Sequence, residues 1–399
     1  MKYCPRCGAR LSDEVVFCVV CGLQQNVRRN YGYPQNGSRN PGHNPYPPNY
    51  QPGYPPNYPP RHRESGIRAF FDRLTGAVNN FAGGYGAVRP PLRAMFSQTF
   101  APHSQEEAEA LFICGTPMTT PRLSSQDTLW PKPWLYARVL MAFAVAFLMM
   151  HFCCVTFGNL NCYPGTILLG SFMVPVAVLI FFFELNTPKN ISFYTVLKIF
   201  LVGGCASLLL TLFLYTLFPF SADGYTEAVV IGIIEELGKL GVVAVFLHRE
   251  KDARYNINGL LVGAAVGAGF AAFESAGYAF NYLLANGYSG MLRVIFLRAI
   301  LAPGGHVVWA AMSGYAIMLV KKQSGPSVLG FLGQSRFWQI FWMPVAIHAV
   351  WDMPIPIGAE FALVQILMVI MSWVVIFVFI NNSLGQLSRY LRNETVLHR

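Results

Sequence analysis

The chain has 399 residues, 54% of them hydrophobic and 12% charged, with a formal net charge of +10. A mean hydropathy of +0.39 is too high for a water-soluble domain of this length and fits a multi-span membrane protein. The Lys and Arg excess sits mainly in loops between apolar runs, so it is read as a membrane-orientation signal and speaks against nucleic-acid binding.

The chain opens "YCPRCGARLSDEVVFCVVCG". Cys4, Cys7, Cys18 and Cys21 form two CxxC knuckles, each followed by Gly, at a spacing that suits a tetrahedral Zn²⁺ held by four thiolates. A disulfide pair conflicts with the cytoplasmic N-terminus argued below, and a redox CxxC does not explain two knuckles. Residues 1–23 are expected to be a structural zinc ribbon whose folding is driven by the metal. Cys114, Cys153, Cys154, Cys162 and Cys205 show no ligand spacing. The opening lacks an apolar core, so no signal peptide is expected there.

Residues 24–64, including "NPYPPNYQPGYPPNYPP", read as a disordered, partly polyproline linker. A juxtamembrane region follows over 65–133. In it, Ile67, Phe70, Phe71, Leu74, Val78 and Phe81 share one helical face, as in a helix lying on a membrane surface or packed on a small cytosolic core. Ser104 and Glu107 form the capping box of a second helix.

From residue 134 the chain becomes a series of apolar runs near the ~20 residues that a spanning helix needs. Eight spans are predicted, at about 136–157, 165–184, 196–218, 227–247, 257–280, 295–320, 337–353 and 360–381. The loops after the second, fourth and sixth carry Lys189, then Arg249, Lys251 and Arg254, then Lys321, Lys322 and Arg336. The tail, 383–399, adds Arg389, Arg392 and Arg399, and Arg293 is the clear exception on the other side. Both termini are therefore expected in the cytoplasm.

Charges inside the spans carry the functional argument. The fourth reads "IGIIEELGKLGVVAVF", with Glu235, Glu236 and Lys239 in its middle. Each such charge costs about 3 kcal/mol to insert, so these residues are expected to face the bundle interior. Both acids lie within helical reach of the one cation. One ammonium cannot neutralise two carboxylates in a low dielectric, which leaves an acid suited to general-base work. A buried salt bridge that only locks helices is the plain alternative. The fifth span places Phe270, Glu274 and Tyr278 on one face. The sixth carries Arg298 and His306, with Pro303-Gly304-Gly305 expected to break the helix before the His. The seventh pairs His348 with Asp352 at i,i+4. At ~1.5 Å per residue, Glu235 falls about 12 Å below the outer face, Glu274 about 9 Å, His306 about 10–16 Å and His348 about 6–8 Å. Independent salt bridges have no reason to share a level, whereas one polar site does.

The EExxK of Glu235–Lys239, the FxxxE of Phe270–Glu274, His306 with Trp309, and the HxxxD of His348–Asp352 together resemble the PrsW family. These are bacterial intramembrane proteases that act on membrane-anchored regulators such as anti-sigma factors. They are related to the CAAX prenyl endopeptidases and the bacteriocin-processing group. The resemblance covers about 134–382 and excludes the ribbon and linker. It implies a bacterial cell-membrane peptidase with Glu235 or Glu236 as general base on water. His306 and His348 would position water or stabilise the oxyanion, with Glu274 and Asp352 in the same site. Lys239, Arg298, Phe270, Tyr278 and Trp309 would support them. The CAAX branch has His where this chain has Glu274, so roles do not transfer directly from it.

Peptide hydrolysis needs a water, a base and fixed dipoles at the oxyanion. Direct attack by activated water is the favoured mechanism, and a zinc ion held by Glu, His and Asp side chains is its competitor, although no HExxH is present. A transporter or channel with an intramembrane proton relay, and a sensor whose ribbon binds a cytoplasmic partner, are the non-enzymatic alternatives.

Overall fold

The computed structural model describes residues 2–3, 10–11, 66–220, 224–321, 327–356 and 362–397. The chain divides into two units, Met1–His62 and Arg63–Arg399. In the first, β1 (Lys2–Tyr3) pairs antiparallel with β2 (Arg10–Leu11), Lys2 opposite Leu11 and Tyr3 opposite Arg10. Cys4, Cys7, Cys18 and Cys21 lie outside the described residues, as does the linker.

The second unit is helical. α1 (Gly66–Phe81) forms where the apolar stripe predicts it and packs on α12 (Leu363–Leu397). The middle of the stripe is covered, with Val78 buried and Leu74 partly so, whereas Ile67, Phe70, Phe71 and Phe81 remain exposed. The short α2 (Leu92–Met95) precedes α3 (Gln105–Ile113). Ser104 caps α3 as expected: its Oγ accepts from the Glu107 amide at 3.2 Å, and Glu107 Oε2 accepts from the Ser104 amide at 3.2 Å.

The apolar runs then become α4 (Leu135–Phe157) and α5 (Tyr163–Leu185). α6 (Phe193–Lys198) continues through a π-helical turn at Ile199–Gly203 into α7 (Gly204–Leu217). The charged run is α8 (Tyr225–Arg249). Beyond it come α9 (Asn256–Leu301), α10 (His306–Val320) and α11 (Ser335–Asp352). Among the described residues, five helical stretches are long and apolar enough to cross a membrane by length and composition. α8 falls outside that group because Glu235, Glu236 and Lys239 interrupt its apolar run, and α11 because its ends carry Arg336, Gln339, His348 and Asp352.

The connection expected between the fifth and sixth spans is not a loop. α9 runs on to Leu301, with only Gly287 leaving helical geometry, at φ 69°. The reason is packing: Met291 and Ile295 beyond the kink are buried against Phe147, Ile167 and Ala279. The break before His306 occurs as expected, through a 3-10 turn at Ala302–Gly304.

α9 and α10 pack closely along one seam. Gly259, Gly263 and Gly267 recur every fourth residue on α9, and a Cβ at each would run into the backbone carbonyl of Gly314, Ala310 or His306 respectively. Small residues at this spacing let two membrane helices approach backbone to backbone. This contact sets the position of the His306 backbone beside the face of α9 that carries Phe270 and Glu274.

Candidate active site

Five helical segments bring their polar residues to one point. Glu235, Glu236 and Lys239 come from α8, and Phe270, Glu274, Ser275 and Tyr278 from the first limb of α9. Arg298 comes from the limb beyond Gly287, His306 and Trp309 from the first turn of α10, and His348 and Asp352 from the last turns of α11. Every site residue read from the membrane half of the sequence joins this cluster.

Lys239 is at its centre and is fully buried. Its Nζ lies 2.8 Å from Glu236 Oε1 and 3.3 Å from Glu235 Oε2, and it donates to His306 Nδ1 at 3.0 Å. The Phe270 ring covers it at 4.2 Å. An isolated ammonium in an apolar interior is prohibitively costly, so this cation is held by two carboxylates, an imidazole lone pair and an aromatic face.

The two histidines are each held from outside by a carboxylate. His348 Nδ1 donates to Glu236 Oε1 at 3.0 Å, and His306 Nε2 donates to Glu274 Oε2 at 3.0 Å. Their other nitrogens turn toward Glu235, with His348 Nε2 3.7 Å and His306 Nδ1 4.0 Å from Glu235 Oε2. Asp352 Oδ2 is 3.3 Å from His348 Nε2. Glu235, His306 and His348 thus present one donor atom each, all within 4.8 Å of one another. The rings are fixed by stacking of His348 on Trp309 at 4.4 Å, and Trp309 in turn donates to Ser372 Oγ on α12 at 3.1 Å. Glu274 is paired with Arg298, whose guanidinium lies 4.6 Å over the Tyr278 ring.

The adjacent acids of α8 part ways here. Glu235 lines a cavity of about 1210 Å³, together with Tyr215, Glu274, Tyr278, Arg298, His306, His348 and Asp352. Glu236 is fully buried, bonds Lys239 and His348 through one oxygen, and leaves Oε2 without a partner among the described residues. Of the two, only Glu235 can meet a water or a substrate carbonyl in the cavity.

Sequence reading missed Tyr215, Ser275 and Ser372. Tyr215 on α7 donates to Glu235 Oε1 at 3.4 Å. Its one signal is a phenol inside the otherwise apolar "LLLTLFLYTLF". Ser275 accepts from Arg298 Nε at 2.8 Å, and nothing in its local sequence marks it.

Residues 192–380 match the family described as PrsW family intramembrane metalloprotease, and residues 3–24 match a zinc-ribbon domain. The matched membrane region contains every residue of the cluster. The chain is similar to Protease PrsW of Clostridioides difficile (strain 630), at 24% identity over 205 residues, covering 50% of this chain and 80% of that protein. No solved structure matches. The PrsW resemblance carried by the motifs is thereby shown for residues 192–380, beside an N-terminal zinc-ribbon domain. This likeness supports an intramembrane peptidase in a multi-pass membrane protein.

Proposed function

We propose that the chain is an endopeptidase that cuts membrane-anchored proteins with water activated by Glu235. The observation that supports this reading best is the inward turn of both imidazoles toward the one cavity-lining acid of the EExxK pair. Glu235, paired with Lys239 at 3.3 Å, takes a proton from a water in the cavity as that water attacks the scissile carbonyl. His348 faces carboxylates through both nitrogens, which a doubly protonated ring satisfies, and from Nε2 it can donate to the developing oxyanion or the leaving amine. His306, neutral with its proton on Nε2, holds Lys239 and Glu274 apart. Tyr215 orients Glu235. Glu274 and Arg298 carry the His306 side of the site.

A metal-assisted form of the same reaction is favoured by a specific observation. His306 has Nε2 on Glu274 and Nδ1 beside Glu235, and His348 has Nδ1 on Glu236 and Nε2 beside both Glu235 and Asp352, so each ring has one nitrogen on an outer carboxylate, as zinc-binding histidines do. Two nitrogens and a carboxylate are also a common catalytic zinc set. The donor set therefore fits a divalent ion held by Glu235, His306 and His348, with Asp352 adjacent. Lys239 puts a competing cation against the same donors. Such an ion supplies a Lewis acid and a more acidic bound water. Glu235, His306 and His348 would hold the ion, and Glu236 would remain the partner of Lys239.

By the distribution of Lys and Arg, both termini are cytoplasmic and the cavity opens toward the outer face. The scissile bond then lies near the external end of the substrate's span. That segment has to be unwound, since a helix hides its carbonyls in its own hydrogen bonds. The ribbon's four cysteines hold a structural zinc and present a module to a cytoplasmic partner.

Reconstitution in liposomes with a single-span substrate tests this, with and without a chelator, and with product termini read by mass spectrometry. Cleavage near the outer boundary is expected. A cut at the cytoplasmic end refutes the orientation, and no cleavage of any single-span substrate refutes the reading. Zinc counts separate the two forms. Deleting residues 1–23 is expected to remove one zinc per chain. A metal-free site leaves none, and a metal-assisted site retains about one.

A further inference from the structure

Pro175 interrupts α5 close to Arg298. Proline has no N–H, so the carbonyl of Ser171, four residues earlier, loses its helical donor. The Ser171 side chain is buried as well, at 4% exposure, and its Oγ has no hydrogen-bond partner among the described residues. The hydroxyl is thus unpaired and the carbonyl lacks its ordinary helical donor, which is costly in an apolar helix unless something fills the gap.

The gap is of defined size. A cavity of about 10 Å³ is lined by Ser171, Pro175, Ser275, Ile295 and Arg298, with Gly170 beside them. That is the volume a single water needs, about 10–15 Å³ by the same measure. Across it, Ser275 accepts from Arg298 Nε at 2.8 Å and makes no further bond among the described residues, so its hydroxyl proton is free to donate inward. A buried water is stable with two to four polar partners, and the Ser171 and Ser275 hydroxyls supply two.

We propose that Ser171 and Ser275 bind a water molecule at the Pro175 break, and that this node fixes the Arg298 guanidinium against Glu274. The node lies behind the site, one step from Glu274 and two from His306. Ser171, three helices from Glu235 in chain order, is then a positioning residue. Arg298 is 29% exposed, so burial alone does not hold it. The second limb of α9 reaches it only after the Gly287 kink, so an anchor on α5 explains how a side chain from a separately directed segment meets Glu274 in register. The catalytic consequence rests on the peptidase reading above, and the water site does not.

Two measurements test it. An experimental structure of the full chain that orders buried solvent is expected to show one water within hydrogen-bond distance of Ser171 Oγ and Ser275 Oγ. A dry pocket in such a structure overturns the proposal whether or not the protein is a peptidase. In the cleavage assay, Ser171→Ala is expected to lower kcat about tenfold, the size of effect that outer-shell partners have, with KM within about twofold. Ser275→Ala should do the same, and Ser275→Thr, which keeps the hydroxyl, should recover most of the rate. Equal kcat in Ser171→Ala and the parent overturns the positioning role, as does failure of Ser275→Thr to recover a rate that Ser275→Ala has lost.

Discussion

α4 and the α9–α10 pair are both long helical stretches suited to a membrane, yet they are built on opposite terms. In α4 only 11% of an 18-residue apolar window is buried in protein, against 50% of such a window in the run of α9 and α10. Met141, Leu148, Met149 and Phe152 of α4 are all well exposed, while the interior of the bundle holds Gly259, Gly263, Gly267, Lys239 and Glu236. The apolar helix faces outward, and the helices with glycines and charges lie inside. In water the hydrophobic effect gathers the greasiest residues into a core. In a bilayer the lipid is as apolar as leucine, so close packing and polar pairing decide what is buried.

The sharpest way to break this contrast is within the inner cluster. Glu235→Gln is expected to cut turnover by about 10²–10⁴-fold, the usual range for a positioned base, with thermal stability in detergent near that of the parent. Glu236→Ala is expected to fail differently. It strands Lys239 and His348 as unpaired buried groups, which costs about 3–5 kcal/mol of stability. Melting both variants and assaying them side by side decides the assignment, and a reversal of the two phenotypes exchanges their roles. Next comes the glycine seam. Gly263→Val drives a side chain into the Ala310 carbonyl and is expected to destabilise by about 1–3 kcal/mol, read as a lower melting temperature. Tyr215→Phe removes one hydrogen bond to Glu235, worth about 0.5–1.5 kcal/mol, so kcat should fall about three- to tenfold with folding unchanged. At the outer helix, Met149→Ala should change stability by less than about 0.5 kcal/mol. A larger loss there would mean that α4 is covered by protein in the assembled state.

Much of the site was legible because intramembrane charge is expensive, and only a paired cluster justifies it. Glu235, Glu236, Lys239, Glu274, His306, His348 and Asp352 each announced themselves as polar residues in apolar runs, and their common depth argued for a single site. The break before His306 was legible from Pro303-Gly304-Gly305 for the same local reason. Hydroxyls are cheaper to bury and leave weaker traces, which is why Tyr215, Ser275 and Ser372 were not singled out. The helical continuation of α9 past Phe280 lies outside the predicted spans, because a glycine and polar residues in "NYLLANGYSG" interrupt the apolar run. Only its packing against Phe147 and Ile167 makes it a helix.

An all-helical membrane protein with an N-terminal zinc ribbon, and the residues that must meet in its interior, can be read locally, because hydropathy, ligand spacing and helical period are properties of short segments. Which of two adjacent acids faces the cavity, how each histidine ring is turned, and which serine braces Arg298 depend on how the helices pack. Residues one apart on a helix point about 100° apart, so the placement of α7, α9, α10 and α11 around α8, and no local rule, turns Glu235 to the cavity and Glu236 into the protein.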